Sequence, residues 1–349
     1  MPLVPRAFRA LLTLGPARSE HRAALRVAIS VGVPALALLV GGRPNLIIYA
    51  AFGAFAGMYG RDEPHQLRLV HQSQAAAMLV AGVTIGISLA AMDVQPWALV
   101  ATAAFLSAAG SVIADKIRLK PAGPFFAIFA LGACASVPLA VPWWCAALIC
   151  LGSAGFSILI GFAGWIGARA WQPGASRAVA PAGSPAPRIH ALRYLLAVGA
   201  AGSAGLLMGI GHHYWAMAAA AVPLAAETLR GRIQRGVHGV IGTLAGVGGT
   251  SLILLPQPSV TMLALLVIAL QFPTELFMAR HYGLALVFFT PLILIMTLLA
   301  KPSDPSSLIA DRALETLIGV AAGVIVALCI REPRQTRRDL GLSDQLAEE

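Results

Sequence analysis

Apolar residues run along this chain in long blocks, and charges, prolines and glycines gather in the short stretches between them. A helix needs roughly 20 apolar residues to cross a hydrocarbon core of about 30 Å. Blocks of that kind occupy 23–40, 45–59, 72–91, 96–114, 122–140 and 143–166, and again 191–210, 213–226, 237–255, 259–276, 282–300 and 308–330. Between the two sets lies 167–190, rich in Pro, Ala, Gly and Ser, which reads as a flexible linker. The pattern predicts an all-α polytopic membrane protein of about twelve transmembrane helices. Its expected parts are a cytoplasmic N-terminal segment (1–22), a first six-helix repeat (23–166), a cytoplasmic linker (167–190), a second repeat (191–330) and a cytoplasmic tail (331–349). The first block is longer than a signal-peptide core, so it reads as an uncleaved span.

Composition supports this picture, with 11% charged and 58% hydrophobic residues and a mean hydropathy of +0.78. A soluble chain carries about a quarter charged residues. Lys and Arg outnumber Asp and Glu 25 to 15, and in a soluble protein that excess would suggest nucleic acid. Here all but Arg43, Lys301 and Arg312 fall in the N-terminal segment, the tail or alternate loops, as the positive-inside rule requires of cytoplasmic ends and loops. The expected topology is therefore multi-pass, with both termini cytoplasmic, and no nucleic-acid partner is expected.

The two sets of spans also echo each other. A shift of 167 takes Arg26 to Arg193, Arg68 to Arg235, His71 to His238, Gly82 to Gly249 and Gly152 to Gly319. With a shorter shift, Gln95-Pro96 answers to Gln257-Pro258 and Phe125-Phe126 to Phe288-Phe289. Six spans per repeat is an even number, so the repeats are expected to run parallel, with substrate passing between them.

Candidate chemistry is confined to a few places. The second span of each half is short, and matching short segments point towards a binding site. Their leading residues are Asn45 and Tyr49 in the first half and His212, His213, Tyr214 and Trp215 in the second. Those rings either stack on a flat substrate or anchor the helix at the membrane interface. Arg68 and His71, like Arg235 and His238, lie one helical turn apart at the start of a Gly-rich span. Such residues serve either an anion path or a snorkelling helix end. Glu275 and Arg280-His281 flank a short turn, as a structural ion pair or a gate. Asp311, Arg312 and Glu315 fall within a span, where charges are costly and invite a functional reading. A carboxylate shielded from water can exchange a proton near neutral pH; the alternative is a clip between Arg312 and an acid.

Cys134, Cys145, Cys150 and Cys329 lie in apolar stretches without metal-ligand spacing. Neither a phosphate-cradling loop nor a nucleophile with a placed base stands out, so no cofactor, no metal and no enzymatic activity are expected.

The second half carries His213-Tyr214-Trp215-Ala216-Met217, then Arg232-Ile-Gln-Arg235-Gly-Val-His238 leading to Gly242-Thr243, and Asp311-Arg312-Ala-Leu-Glu315. These motifs resemble the FUSC, or fusaric acid resistance, family of aromatic acid exporters. The likeness is strongest over about 190–330 and weaker over 20–166. It implies a secondary transporter of the cell inner membrane that exports aromatic or other small organic carboxylates, coupled to protons, and an organic-anion channel of the same architecture is the alternative. Residue by residue it marks Tyr214, Trp215, Arg235, His238, Gly242, Thr243, Asp311, Arg312 and Glu315. The expected partners are the lipid bilayer and a small organic anion; a homo-oligomer and an accessory periplasmic export protein are partners the reading admits.

Overall fold

The computed structural model describes residues 20–61, 63–168 and 187–330, the side chains of 164–168 excepted. The N-terminal segment up to 19, most of the linker and the tail lie outside the described residues. The fold is all-helical among the described residues. We number the helices α1 (Glu20–Val40), α2 (Ile47–Ala54), α3 (His65–Ala91), α4 (Pro96–Ile117), α5 (Phe125–Ala135) and α6 (Trp143–Ala168). After the linker come α7 (Pro187–Leu207), α8 (Tyr214–Leu224), α9 (Leu229–Leu254), α10 (Val260–Met278), α11 (Tyr282–Ala300) and α12 (Pro305–Cys329). Single 3-10 turns, Pro44–Leu46 and Phe55–Met58, extend α2 at both ends.

Nine helices among the described residues are long and apolar enough to cross a membrane, which makes this a multi-pass membrane protein. Three are shorter: Pro44–Met58, Phe125–Ala135 and Tyr214–Leu224. Two of these match the short spans expected from sequence. The third corrects the expectation of a full span over 122–140: α5 has 11 residues, about 16 Å of helix at 1.5 Å per residue. Prolines bound it, with Pro121 and Pro124 before it, a left-handed Gly123 (φ 80°) between them, and Pro138 and Pro142 after it.

The short helices form the centre. Every residue of α2 and α8 is buried and the long α11 has no exposed residue, whereas the other long helices keep apolar residues outward. On α1 that stripe is Leu25, Ile29, Val33, Leu36 and Val40, all exposed at helical spacing. In lipid such a stripe is satisfied by acyl chains, and helices associate by close packing instead of by hydrophobic drive.

Close packing is visible in pairs of helices. α2 lies on α6 and α8 on α12; α3 lies on α5 and α9 on α11; α4 lies on α7 and α1 on α10. Glycines set two of these distances. A Cβ on Gly82 or Gly86 of α3 would stand 2.6 Å from the Ala127 carbonyl oxygen or 2.4 Å from that of Leu131, both on α5. On Gly242 or Gly246 of α9 it would stand 2.2 Å from the Gly283 oxygen or 2.8 Å from the Leu286 oxygen of α11. Gly249, the residue that the constant shift of 167 assigns to Gly82, faces open space. The close approach that Gly82 makes to α5 is made to α11 by Gly242.

Candidate functional site: an aromatic cavity with basic walls

A cavity of about 230 Å³ opens where the ends of α2, α8 and α10 meet the starts of α5, α9 and α11. Its position follows from the short helices: α2 stops at Tyr59 and left-handed Gly60 (φ 59°), and α5 does not begin until Phe125. The space beyond those ends is walled by Phe125, Phe126 and Tyr59 from the first six helices and by Tyr282 and Phe289 from the last six. Phe126 meets Phe289 edge to face at 6.2 Å and Tyr59 at 6.3 Å, and Phe125 at 4.9 Å.

Among the described residues three cations line the same space, Arg61, Lys120 and Arg235, with two acids, Glu63 and Glu275. Each acid faces a partner. Arg61 Nη1 lies 3.4 Å from Glu275 Oε2 and donates to the Glu275 carbonyl oxygen at 3.2 Å. Glu275 is 1% exposed, and Gln271 Nε2 stands 3.5 Å from its other oxygen. Glu63 lies 2.5 Å from His71 Nδ1. The guanidinium of Arg235 stacks 4.6 Å from the centroid of the Tyr282 ring, and its Nε has no hydrogen-bond partner.

Arg68, one turn before His71, is buried and donates to the carbonyl oxygens of Glu63 (2.6 Å), Gly161 (3.1 Å) and Gly60 (3.4 Å). Together Arg68 and His71 fasten the loop that presents Arg61 and Glu63. Arg232 also turns inward, 1% exposed, with Nε donating to the Ala226 carbonyl oxygen at 3.0 Å. It therefore belongs to the packed end of α9, whereas the charge-rich sequence around it reads as a solvated turn.

A second group of residues lies deeper along α12. Asp311 Oδ2 sits 2.8 Å from His212 Nδ1, and the His212 ring stacks on Trp215 at 4.6 Å and 13°. Arg312 holds its guanidinium carbon 5.4 Å from the Trp215 ring centroid. In the alternative reading of a clip between Arg312 and a carboxylate, the place of Arg312 beside Asp311 is thus taken by a histidine. Glu315 is fully buried, and neither carboxylate oxygen has a hydrogen-bond partner. Tyr214 stacks on Phe129 at 6.3 Å and 25°.

The remaining candidates are dispersed. Asn45 is half-buried in the 3-10 turn before α2, and Tyr49 is enclosed in α2; neither lines the cavity. His213 borders a different cavity of about 370 Å³ with Asp93 and Lys301, at the opposite end of α3 and α11. The His238 and His281 rings lie 4.7 Å apart where α9 crosses α11, and His281 Nδ1 caps α11 by accepting from the Leu284 N–H at 3.0 Å. Arg280 Nε pairs with Glu20 Oε2 at 3.5 Å, joining α1 to the turn before α11.

Of the expected site residues, then, the structure brings Arg235 and Glu275 into the main cavity, and gathers Trp215, Asp311, Arg312 and Glu315 deeper in. Sequence reasoning assigns no chemistry to Phe126, Phe289, Tyr282, Arg61 or Lys120. The pairing of Phe125-Phe126 with Phe288-Phe289 is the signal that could have found the aromatic walls.

Comparison with known proteins agrees with the second group of helices. The family described as fusaric acid resistance protein-like matches residues 199–326. The uncharacterized membrane protein YvaC of Bacillus subtilis (strain 168) is 31% identical over 109 residues, which is 31% of this chain and 17% of YvaC. The match thus spans under a fifth of that relative's length. No solved structure matches. Residues 199–326, which hold α8, α9, Arg235 and the Asp311–Glu315 turn of this multi-pass membrane protein, are thus similar to the fusaric acid resistance protein-like family.

Proposed function

We propose that the chain is a secondary transporter that exports aromatic or other small organic carboxylates across the cytoplasmic membrane. The observation that carries this reading is the cavity of rings and cations. Arg61 is engaged with Glu275, so Arg235 and Lys120 supply the free positive charge, and the guanidinium fork of Arg235 suits a carboxylate. Phe126 and Phe289 offer edges and faces for a ring. A volume of about 230 Å³ is below the ~300–1,000 Å³ of pockets for drug-sized ligands, which favours a one-ring acid.

The basic loops support a cytoplasmic side for this cavity, with the His213 cavity outside and both termini inside. Residues 23–166 and 191–330 act as two parallel repeats joined by the 167–190 linker; the matched helix pairs and the Gly82 and Gly242 contacts support that arrangement. Proton coupling falls to Glu315 and Asp311, the acids inside α12, and no catalytic step is assigned.

Proteoliposomes loaded with labelled benzoate test the proposal. Efflux should saturate, and Arg235→Gln should raise the KM by roughly 10-fold or more, the worth of a charged hydrogen bond. Benzoate efflux that is absent, or indifferent to that substitution, refutes it. Current that follows the benzoate equilibrium potential with no response to a one-sided pH change identifies the uncoupled channel instead.

A further inference from the structure

We infer that the anion path does not end in the aromatic cavity but continues to a second anion site at Arg312, behind a septum formed by Phe125, Tyr282 and Leu286. The inference rests on the reading of the cavity as a carboxylate path and adds a step to it.

A smaller cavity of about 20 Å³ lies beyond the first, lined by Arg312, Thr316, Thr243 and Phe129 among others. Phe125, Val222, Tyr282 and Leu286 line both spaces, so these side chains are the wall between them. About 20 Å³ holds one water-sized species. With the wall in place the inner space therefore admits a single halide or one carboxylate oxygen and excludes a ring.

Arg312 is built for that occupant. It is 6% exposed, it borders the inner cavity, and its Nε has no hydrogen-bond partner. A buried guanidinium N–H without an acceptor is a standing cost of the fold, and an incoming anion removes it. The neighbouring acids do not: Asp311 is turned to His212, and both oxygens of Glu315 lack a hydrogen-bond partner. What Arg312 does touch is the Trp215 ring, a contact that leaves its donors available.

The septum is also the link between the two cations. Tyr282 borders both spaces while Arg235 stacks on its ring from 4.6 Å. A carboxylate held by Arg235 reaches Arg312 when Tyr282, Phe125 and Leu286 swing aside. In that step no covalent bond is made, and the aromatic wall keeps the two anion sites from forming an open pore.

The contact between Arg312 and Trp215 supplies a readout. The full chain is labelled with 5-fluorotryptophan, and the Trp215 resonance among the six tryptophans is assigned by Trp215→Phe. Bromide should shift that resonance saturably. Arg312→Gln should weaken the bromide response by roughly 10- to 100-fold, and Arg312→Lys should retain most of it. The other tryptophan resonances, unmoved, show that the variants fold. A silent Trp215, or an equal shift in Arg312→Gln, overturns the inner site. Benzoate that competes with bromide joins the inner site to the carboxylate path. If bromide titrates Trp215 while benzoate neither competes nor is transported, the carboxylate reading falls and the anion site stands. If benzoate efflux saturates through Arg235 and is unchanged in Arg312→Gln, the continuation of the path through Arg312 falls and the outer cavity stands.

Discussion

Arg61 Nη1 and Glu275 Oε2 meet at 3.4 Å although 214 positions separate them in the chain. Their contact ties the loop after α2 to the end of α10 at the mouth of the aromatic cavity, and so joins the first six helices to the last six. Glu275 is 1% exposed while the Arg61 side chain is 13% exposed, so the two ends of the pair are not equivalent.

Removal of Arg61 leaves a buried acid without its cation, whereas neutralisation of Glu275 leaves a cation near the surface. Arg61→Ala should cost about 3 kcal/mol, the low end for breaking a buried pair, and Glu275→Gln should cost less. The double variant should be more stable than Arg61→Ala alone. Thermal unfolding in detergent, analysed as a double-mutant cycle, reads the coupling; additive losses would show that the two residues act separately.

Glycine packing separates two positions seven residues apart on α9. Gly242→Ala puts a Cβ 2.2 Å from the Gly283 carbonyl oxygen, so α9 and α11 must part and folded yield should fall sharply. Gly249→Ala meets nothing within 4 Å and removes the entropic penalty of a helical glycine, so it should stabilise by up to about 1 kcal/mol. Size-exclusion profiles after graded heating compare the two.

The aromatic walls should discriminate between acids. Phe126→Ala and Phe289→Ala remove ring contacts worth about 0.5–1.5 kcal/mol each, so benzoate affinity should fall roughly 2- to 10-fold. Acetate, which lacks a ring, should change little. Competition between the two acids in efflux assays measures the difference; equal losses for both would place the substrate elsewhere.

Asp304 gives α12 a pH-sensitive start. Its carboxylate accepts from the Ser306 hydroxyl and from the Ser307 N–H at 2.9 Å, and those hydrogen bonds hold its pKa below the ordinary carboxylate value. Because the folded value is the lowered one, the cap is fully effective above the unfolded pKa, close to 4, and is lost as the pH falls through the folded value. Amide exchange at 306–309, corrected for intrinsic rates, should therefore quicken in strong acid. Asp304→Ala should show the fast exchange at every pH, because the acceptor is gone.

Much of the architecture was legible before any coordinates. The long apolar blocks, the basic loops and the short spans at 45–59 and 213–226 follow from partition between lipid and water, which acts on windows of about 20 residues. The prolines at 121, 124, 138 and 142 were in view as well, yet the block at 122–140 still read as a full span. Its apolar content masked breaks that act on backbone hydrogen bonds, not on hydropathy.

By itself, the amino-acid order determined that lipid surrounds this chain, how its helices alternate, and which residues carry the Tyr-Trp and Arg-x-x-His motifs. Tertiary structure alone decided that Arg61 meets Glu275, that Asp311 turns to His212 and leaves Arg312 facing a cavity, and that Gly242, not Gly249, seats α9 against α11. The reason is one of range. Insertion into a bilayer sums the transfer of neighbouring residues along the chain, while an ion pair or a helix crossing depends on where every other helix has come to rest.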